Sequence, residues 1–224
     1  MTGDRTGTLS WKAWDVRELR GRRGRIEIVD LSTGRGGHLL VDHILLTDLL
    51  FAEPADRADW VDRGMDFMAD QLADGRRVRL LTVVDVCTRE CVAIEVGPRL
   101  RGEDVVRLLT QAAAVRGAPR RIYCDNGSEF QSRLVDLWAF TNKVQLEFSR
   151  PGKPTDNAHI ESFNGSLRDE CLNVHWFTSL ADAKEQLNTW RIDYNESRPH
   201  KALNHRTPRE YAAEMAHAGR KLSG

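Results

Sequence analysis

The chain has 224 residues, 41% apolar and 29% charged, with 33 Lys or Arg balanced by 33 Asp or Glu. That composition suits one globular domain with appendages and excludes a disordered or low-complexity protein. A net charge of zero argues against a strong sequence-independent DNA binder, although basic residues gathered on one face still serve nucleic acid.

Cys87, Cys91, Cys124 and Cys171 are spread along the chain, with no second close pair to complete a zinc site. They are expected to be free thiols in a reducing compartment. No N-terminal stretch combines a basic head, an apolar run and a small-residue cleavage site. No apolar run reaches the ~20 residues needed to span a bilayer. The expectation is a cytoplasmic protein with no membrane partner.

Residues 12–35 are locally basic, carrying Lys12, Arg17, Arg20, Arg22, Arg23, Arg25 and Arg35. Residues 42–74 reverse the sign, with nine Asp or Glu against Arg57 and Arg63. Gly34, Gly36 and Gly37 separate the two, and the apolar stretch 39–51 suits a buried helix. A short, weakly signalled strand is expected around 65–67. From residue 79 the pattern is regular. Residues 80–85 (LLTVVD) read as a buried strand and 91–96 as its neighbour, with Thr88, Arg89 and Glu90 in the turn between them. Residues 103–116 place Val105, Val106, Leu108, Leu109, Ala112 and Ala113 at helical spacing, and Gly117 and Pro119 end that helix. A short strand, 121–124, runs into Asp125. A helix is expected from Ser128, a strand over 144–148 and a loop over 151–154. Helix is predicted over 158–171 and again over 179–194, the latter capped by Ser179. The order implies an α/β layer design with a mixed sheet flanked by helices.

Three carboxylates stand out. Asp125 ends a strand and is followed by Asn126-Gly127, which is otherwise an ordinary turn. Glu161 lies in a helix that follows the Pro-Gly-Lys-Pro loop, and Asp66 lies in Met65-Asp66-Phe67. A lone helical Glu, or one acid in an acidic stretch, is normally a solvated surface residue. Three acids held together serve phosphoryl transfer, where two divalent ions roughly 3.5–4 Å apart attend the attacking and leaving oxygens. Hard Mg²⁺ or Mn²⁺ prefers oxygen ligands and offsets the repulsion among the acids.

The pieces LLTVVD (80–85), TREC (88–91), CDNGSEF (124–130), PGKPTDNAHIESFNGSLRDECL (151–172), WFTSL (176–180), NESRPH (195–200) and TPREY (207–211) resemble the integrase core of bacterial insertion-sequence transposases, related to retroviral integrases. Thirty-five residues separate Asp125 from Glu161, the spacing this family uses between its second and third acids. The resemblance implies a ribonuclease-H-like fold. It implies a DDE transposase that cleaves DNA at transposon ends and transfers a 3′-hydroxyl onto target DNA. Asp66, Asp125 and Glu161 would be the catalytic acids and would hold Mg²⁺ or Mn²⁺, as two ions. Asp85 is the rival for the first acid; Val86 and Cys87 follow it where the family usually has a second Asp and an aromatic residue. Trp60 also lies further before Asp66 than the family's Trp does.

Lys153 and Arg168 are candidate phosphate contacts, with a solvated surface role as the alternative. Asn157 and Asn164 are candidates for orienting DNA or the active-site helix, with capping or turn duty as the alternative. His200 is a candidate auxiliary group near the metals or a structural histidine. Trp138, Trp176, Phe177 and Trp190 read as core or docking aromatics. The domain reading is an N-terminal extension (1–60), truncated or degenerate and without a helix-turn-helix or zinc module; a catalytic core (61–212); and a tail (213–224). The resemblance further implies DNA as partner, a homo-oligomer in the DNA complex, a nucleoid-associated location, and a separate DNA-binding protein from an upstream frame. The rival reading is a degenerate, non-catalytic DNA-associated protein that keeps the fold. A nuclease that does not transpose is a third, disfavoured by the NESRPH and TPREY tail.

Overall fold

The computed structural model describes residues 61–150 and 158–222. The expectations for residues 1–60 and for the loop 151–154 lie outside the described residues. Five strands, β1 (Asp62–Gln71), β2 (Arg77–Asp85), β3 (Cys91–Gly97), β4 (Arg121–Cys124) and β5 (Gln145–Phe148), form one mixed sheet in the order β3-β2-β1-β4-β5. β1 pairs antiparallel with β2 and parallel with β4, so it lies at the centre. The helices are α1 (Gly102–Arg116), α2 (Arg133–Thr141), α3 (Ala158–Leu167), α4 (Leu180–Glu196) and α5 (Pro208–Leu222).

β1 is ten residues long, not the short strand its sequence suggests. Its run DRGMDFMADQ has no β-branched residue. Ladders on both sides stabilise it instead, which is tertiary context overriding a weak local preference. Alternation then divides the sheet faces. Met68 of β1 and Leu80 and Val84 of β2 pack on Ile160, Phe163 and Leu167 of α3 and on Leu187, Trp190 and Tyr194 of α4. Burying each such side chain contributes roughly 1.5–3 kcal/mol. Phe163 meets Trp190 and Tyr194 edge-on at 5.6 and 5.1 Å. The residues out of step, Arg63 and Phe67, turn to the opposite face. There Arg63 donates to the carbonyls of Arg116 and Gly117 at the end of α1, and Phe67 stacks on Phe130.

Ser179 caps α4, accepting from the Asp182 N–H at 3.1 Å, while the Asp182 carboxylate accepts from Thr178 N–H and hydroxyl. α2 starts later than expected, with Ser132 as its cap. Residues 128–131 instead turn back on the loop, Phe130 and Gln131 both donating to the Gly127 carbonyl. α3 ends in a π-helical turn, Arg168–Leu172.

Candidate active site

Asp66 lies on the central strand opposite Thr82 of β2, on the α3 face of the sheet. Its Oδ1 accepts from the Phe67 N–H at 2.7 Å and its Oδ2 from the Asn164 amide at 2.9 Å. Its carboxyl is pushed above the ordinary carboxylate range, first by burial. The negative charges of Asp125 and Glu161 push the same way, while the Phe67 and Asn164 donors pull against them. The three acids are therefore electrostatic neighbours.

The sheet register accounts for Asp125. β1 and β4 run in parallel with Asp62 beside Arg121, Arg63 beside Ile122 and Gly64 beside Tyr123. Two further steps bring Asp125, the residue after β4, level with Asp66. The loop that follows is tied down at both ends. Asn126 donates to the Ser149 carbonyl at 2.8 Å, beyond β5. Phe130, fully buried, stacks on Phe67 with ring centroids 4.9 Å apart. Between them the Gly127 N–H donates to Asp125 Oδ1 at 2.9 Å, and a Cβ on Gly127 would stand 2.9 Å from that same oxygen. A side chain there would crowd the carboxylate it now orients.

Glu161 comes from α3, whose buried residues Ile160, Phe163, Asn164 and Leu167 recur at helical spacing. Glu161 follows Ile160 and is exposed at the flank of that buried stripe. Asn164, three residues on, reaches back to the sheet. It joins Asp66 to Thr82, whose hydroxyl donates to the Asn164 carbonyl oxygen at 2.9 Å. Only oxygen donors are offered by the three acids, which suits a hard cation such as Mg²⁺ or Mn²⁺, and their mutual repulsion is what a divalent charge relieves. Among the described residues no three His, Cys, Asp or Glu side chains are drawn together as a ready ligand set.

Asp85 does not join this group. It pairs in register with Arg63, three positions along the ladder from the Asp66–Thr82 pair, so it faces the other side of the sheet. Its Oδ1 accepts from the N–H groups of Cys87 and Thr88, closing the turn after β2. Asn164 is buried with both ends of its amide engaged inside the fold, so the geometry favours its orienting role over a DNA contact. Arg168 donates to the Ala69 carbonyl at 3.0 Å, tethering the π-helical turn to β1. His200 packs edge-on against Tyr194 at 4.9 Å, and burial together with the nearby Arg198 and Arg89 charges lowers its pKa. Its described contacts are with that cluster and not with the acids. Lys153 and Asn157 lie outside the described residues.

Two polar residues escaped the sequence reading. Thr82 is fully buried in a strand read as apolar. Asn195 is buried on α4 and clasps Cys91 of β3, accepting from its N–H at 2.8 Å and donating to its carbonyl at 3.0 Å. Of the aromatics expected in the core or at a docking surface, Trp138, Phe177 and Trp190 are buried and Trp176 is 82% exposed. Cys87, Cys91, Cys124 and Cys171 are free thiols, and burial pushes Cys124, beside Asp125, up to about 12. No helix among the described residues is long and apolar enough to cross a membrane.

Two models described as "Integrase core domain" match, one over residues 63–154 and the other over 142–208. The 31.7 kDa protein of insertion element IS407 from Burkholderia multivorans is 53% identical over 150 residues, covering 67% of this chain and 54% of that protein. The 39.2 kDa protein of insertion element IS476 from Xanthomonas euvesicatoria is 51% identical over 149 residues, covering 66% and 43%. The chain thus spans about half the length of these curated relatives. Among solved structures, the simian T-cell lymphotropic virus intasome superposes with a TM-score of 0.58 at 17% identity, over 67% of this chain and 53% of that one. The HTLV-2 integrase catalytic core domain in complex with magnesium gives 0.53 at 14%, over 67% and 94%. At such identities the likeness speaks for the fold, which is ribonuclease-H-like. With half of the aligned residues shared with insertion-element proteins, the chain belongs to the insertion-sequence transposases that carry an integrase-type core domain.

Proposed function

We propose that this chain is the catalytic core of a DDE transposase, cleaving DNA at element ends and transferring the freed 3′-hydroxyl to target DNA. The observation that carries this reading is the electrostatic coupling of Asp66 to Asp125 and Glu161, contributed by the central strand, the end of β4 and α3. Asp66, Asp125 and Glu161 would hold Mg²⁺ or Mn²⁺, as two ions, supplying charge stabilisation at the attacking and leaving oxygens of an in-line phosphoryl transfer. The chain's own part is positional. The Phe67 N–H and the Asn164 amide fix the Asp66 carboxylate, and the Gly127 N–H fixes that of Asp125. Lys153 and Arg168 would contact phosphates without reading sequence. The partners would be element-end and target DNA in a homo-oligomeric complex. Recognition of the ends would come from chain outside residues 61–212 or from a separate subunit.

A second reading, a core that keeps the fold without catalysis, is favoured by one observation: Val86 and Cys87 follow Asp85 where the family usually has a second Asp and an aromatic residue. The two readings separate on one experiment. The full chain is incubated with duplex oligonucleotides carrying the terminal inverted repeats that flank the gene. Nicking and joining that need Mg²⁺ or Mn²⁺ support catalysis. Binding of those ends without nicking in either metal supports the non-catalytic core.

A further inference from the structure

We infer that Thr82 is a positioning residue for Asp66, acting through the Asn164 amide; the inference rests on the reading of Asp66 as a metal-holding acid. Thr82 stands directly across the ladder from Asp66, and its side chain is fully buried on the α3 face. Its Oγ1 lies 2.9 Å from Asn164 Oδ1 and 3.2 Å from the Asp66 backbone carbonyl. A hydroxyl has one proton to donate, and the shorter approach is to the amide.

That proton decides which way round the amide sits. The two ends of an Asn side chain are nearly the same shape, so hydrogen-bond partners alone orient it. With Oδ1 accepting from Thr82, Nδ2 is turned to Asp66 Oδ2 at 2.9 Å. A reversed amide would set its oxygen against the carboxylate, lone pair against lone pair. The Phe67 N–H holds the other carboxylate oxygen at 2.7 Å, so both oxygens of Asp66 are located by protein donors. Each keeps acceptor capacity for a further partner. Two consecutive hydrogen bonds, Thr82 to Asn164 and Asn164 to Asp66, therefore run from a buried strand to the acid, with no atom of Thr82 touching the reacting groups. A valine at position 82 would match the shape and leave Asn164 Oδ1 buried without a donor, freeing the amide to swing.

The test compares the full-length wild type with Thr82→Val, Thr82→Ser, Asn164→Ala and Asp66→Asn. Mn²⁺ binding is read by titration calorimetry, and melting temperature is read in EDTA. Outer-shell partners of metal-holding groups typically change metal affinity by 10–100-fold, so Thr82→Val is expected to weaken Mn²⁺ binding about tenfold or more. Thr82→Ser keeps the hydroxyl and is expected to bind within about threefold of wild type, below that range. Thr82→Val combined with Asn164→Ala is expected to lose no more than Asn164→Ala alone, because both changes cut one chain of bonds. A folded Thr82→Val protein with wild-type affinity overturns the proposal. So does a Thr82→Ser protein that loses as much as Thr82→Val, which would assign the effect to the methyl group. If Thr82→Val does not fold, Thr82→Ala is read in its place, and failure of both to fold assigns the hydroxyl a purely structural role. A wild type that binds no Mn²⁺ and matches Asp66→Asn overturns the underlying reading, and this inference with it.

Discussion

Arg63 and Asp85 stand opposite each other across β1 and β2, on the face of the sheet that Asp66 turns away from. Arg63 is buried, and its guanidinium donates to the carbonyl end of α1 while the Asp85 charge favours its ionised form. Asp85 also closes its own turn through Cys87 and Thr88. Removing it leaves Glu90 as the remaining carboxylate charge that offsets the buried guanidinium and opens the turn, so Asp85→Ala is expected to lose about 2 kcal/mol of stability. Any rise in melting temperature on adding Mg²⁺ should survive the change. Loss of that rise at wild-type stability would restore Asp85 as the first acid.

The raised pKa of Asp66 has a definite sign in stability. Its folded-state value lies above the ordinary 3.8, so the native protein holds this proton more tightly than the unfolded chain does. Its contribution is fully present below about pH 3.8 and is lost as pH rises through the elevated folded value. In EDTA, Asp66→Asn should therefore show a smaller fall in melting temperature over that window than wild type. Parallel curves for the two proteins would contradict the raised pKa of Asp66, whose first cause is burial.

Gly127 offers a test of the Asp125 loop alone. A Cβ there would meet Asp125 Oδ1 at 2.9 Å, closer than carbon and oxygen ordinarily approach. Gly127→Ala is expected to shift the carboxylate and to lower the cleavage rate by about 10²-fold, the scale of a 1 Å misplacement. The melting temperature should change little, because the Asp125 side chain that the new Cβ meets is exposed. Undiminished cleavage would show that the observed Asp125 orientation is not the productive one.

Much of this architecture is readable locally. The apolar run of β2, the spacing of α1, the Ser179 cap and the Asp125–Glu161 motif each carry their own signal within a few residues. β1 does not, because its stability comes from two neighbouring strands and not from its own residues. α2 starts later than the helix expected from Ser128, because residues 128–131 belong to the loop that holds Asp125 and Ser132 caps the helix. Thr82 and Asn195 were invisible for another reason: their partners lie 82 and 104 residues away in sequence. A polar residue inside an apolar run does not reveal which distant group satisfies it.

Asn195 shows what such a long-range pair contributes. Its amide meets both backbone groups of Cys91 where the β2–β3 register shifts, joining α4 to the edge strand. Asn195→Ala leaves a buried N–H and carbonyl unpaired and is expected to cost about 2–4 kcal/mol. Chemical denaturation measures it. A cost near zero would mean that water or a neighbouring group replaces the amide.

The central claim is that Asp66, Asp125 and Glu161 act together through divalent metal on DNA. The most direct measurement is strand transfer by Glu161→Gln, on oligonucleotides carrying the element ends, in Mg²⁺ and in Mn²⁺. The amide keeps the shape of the side chain and removes the charge that holds a hard cation. The account predicts that cleavage and joining disappear while folding and DNA binding persist. Full strand transfer by Glu161→Gln would contradict it.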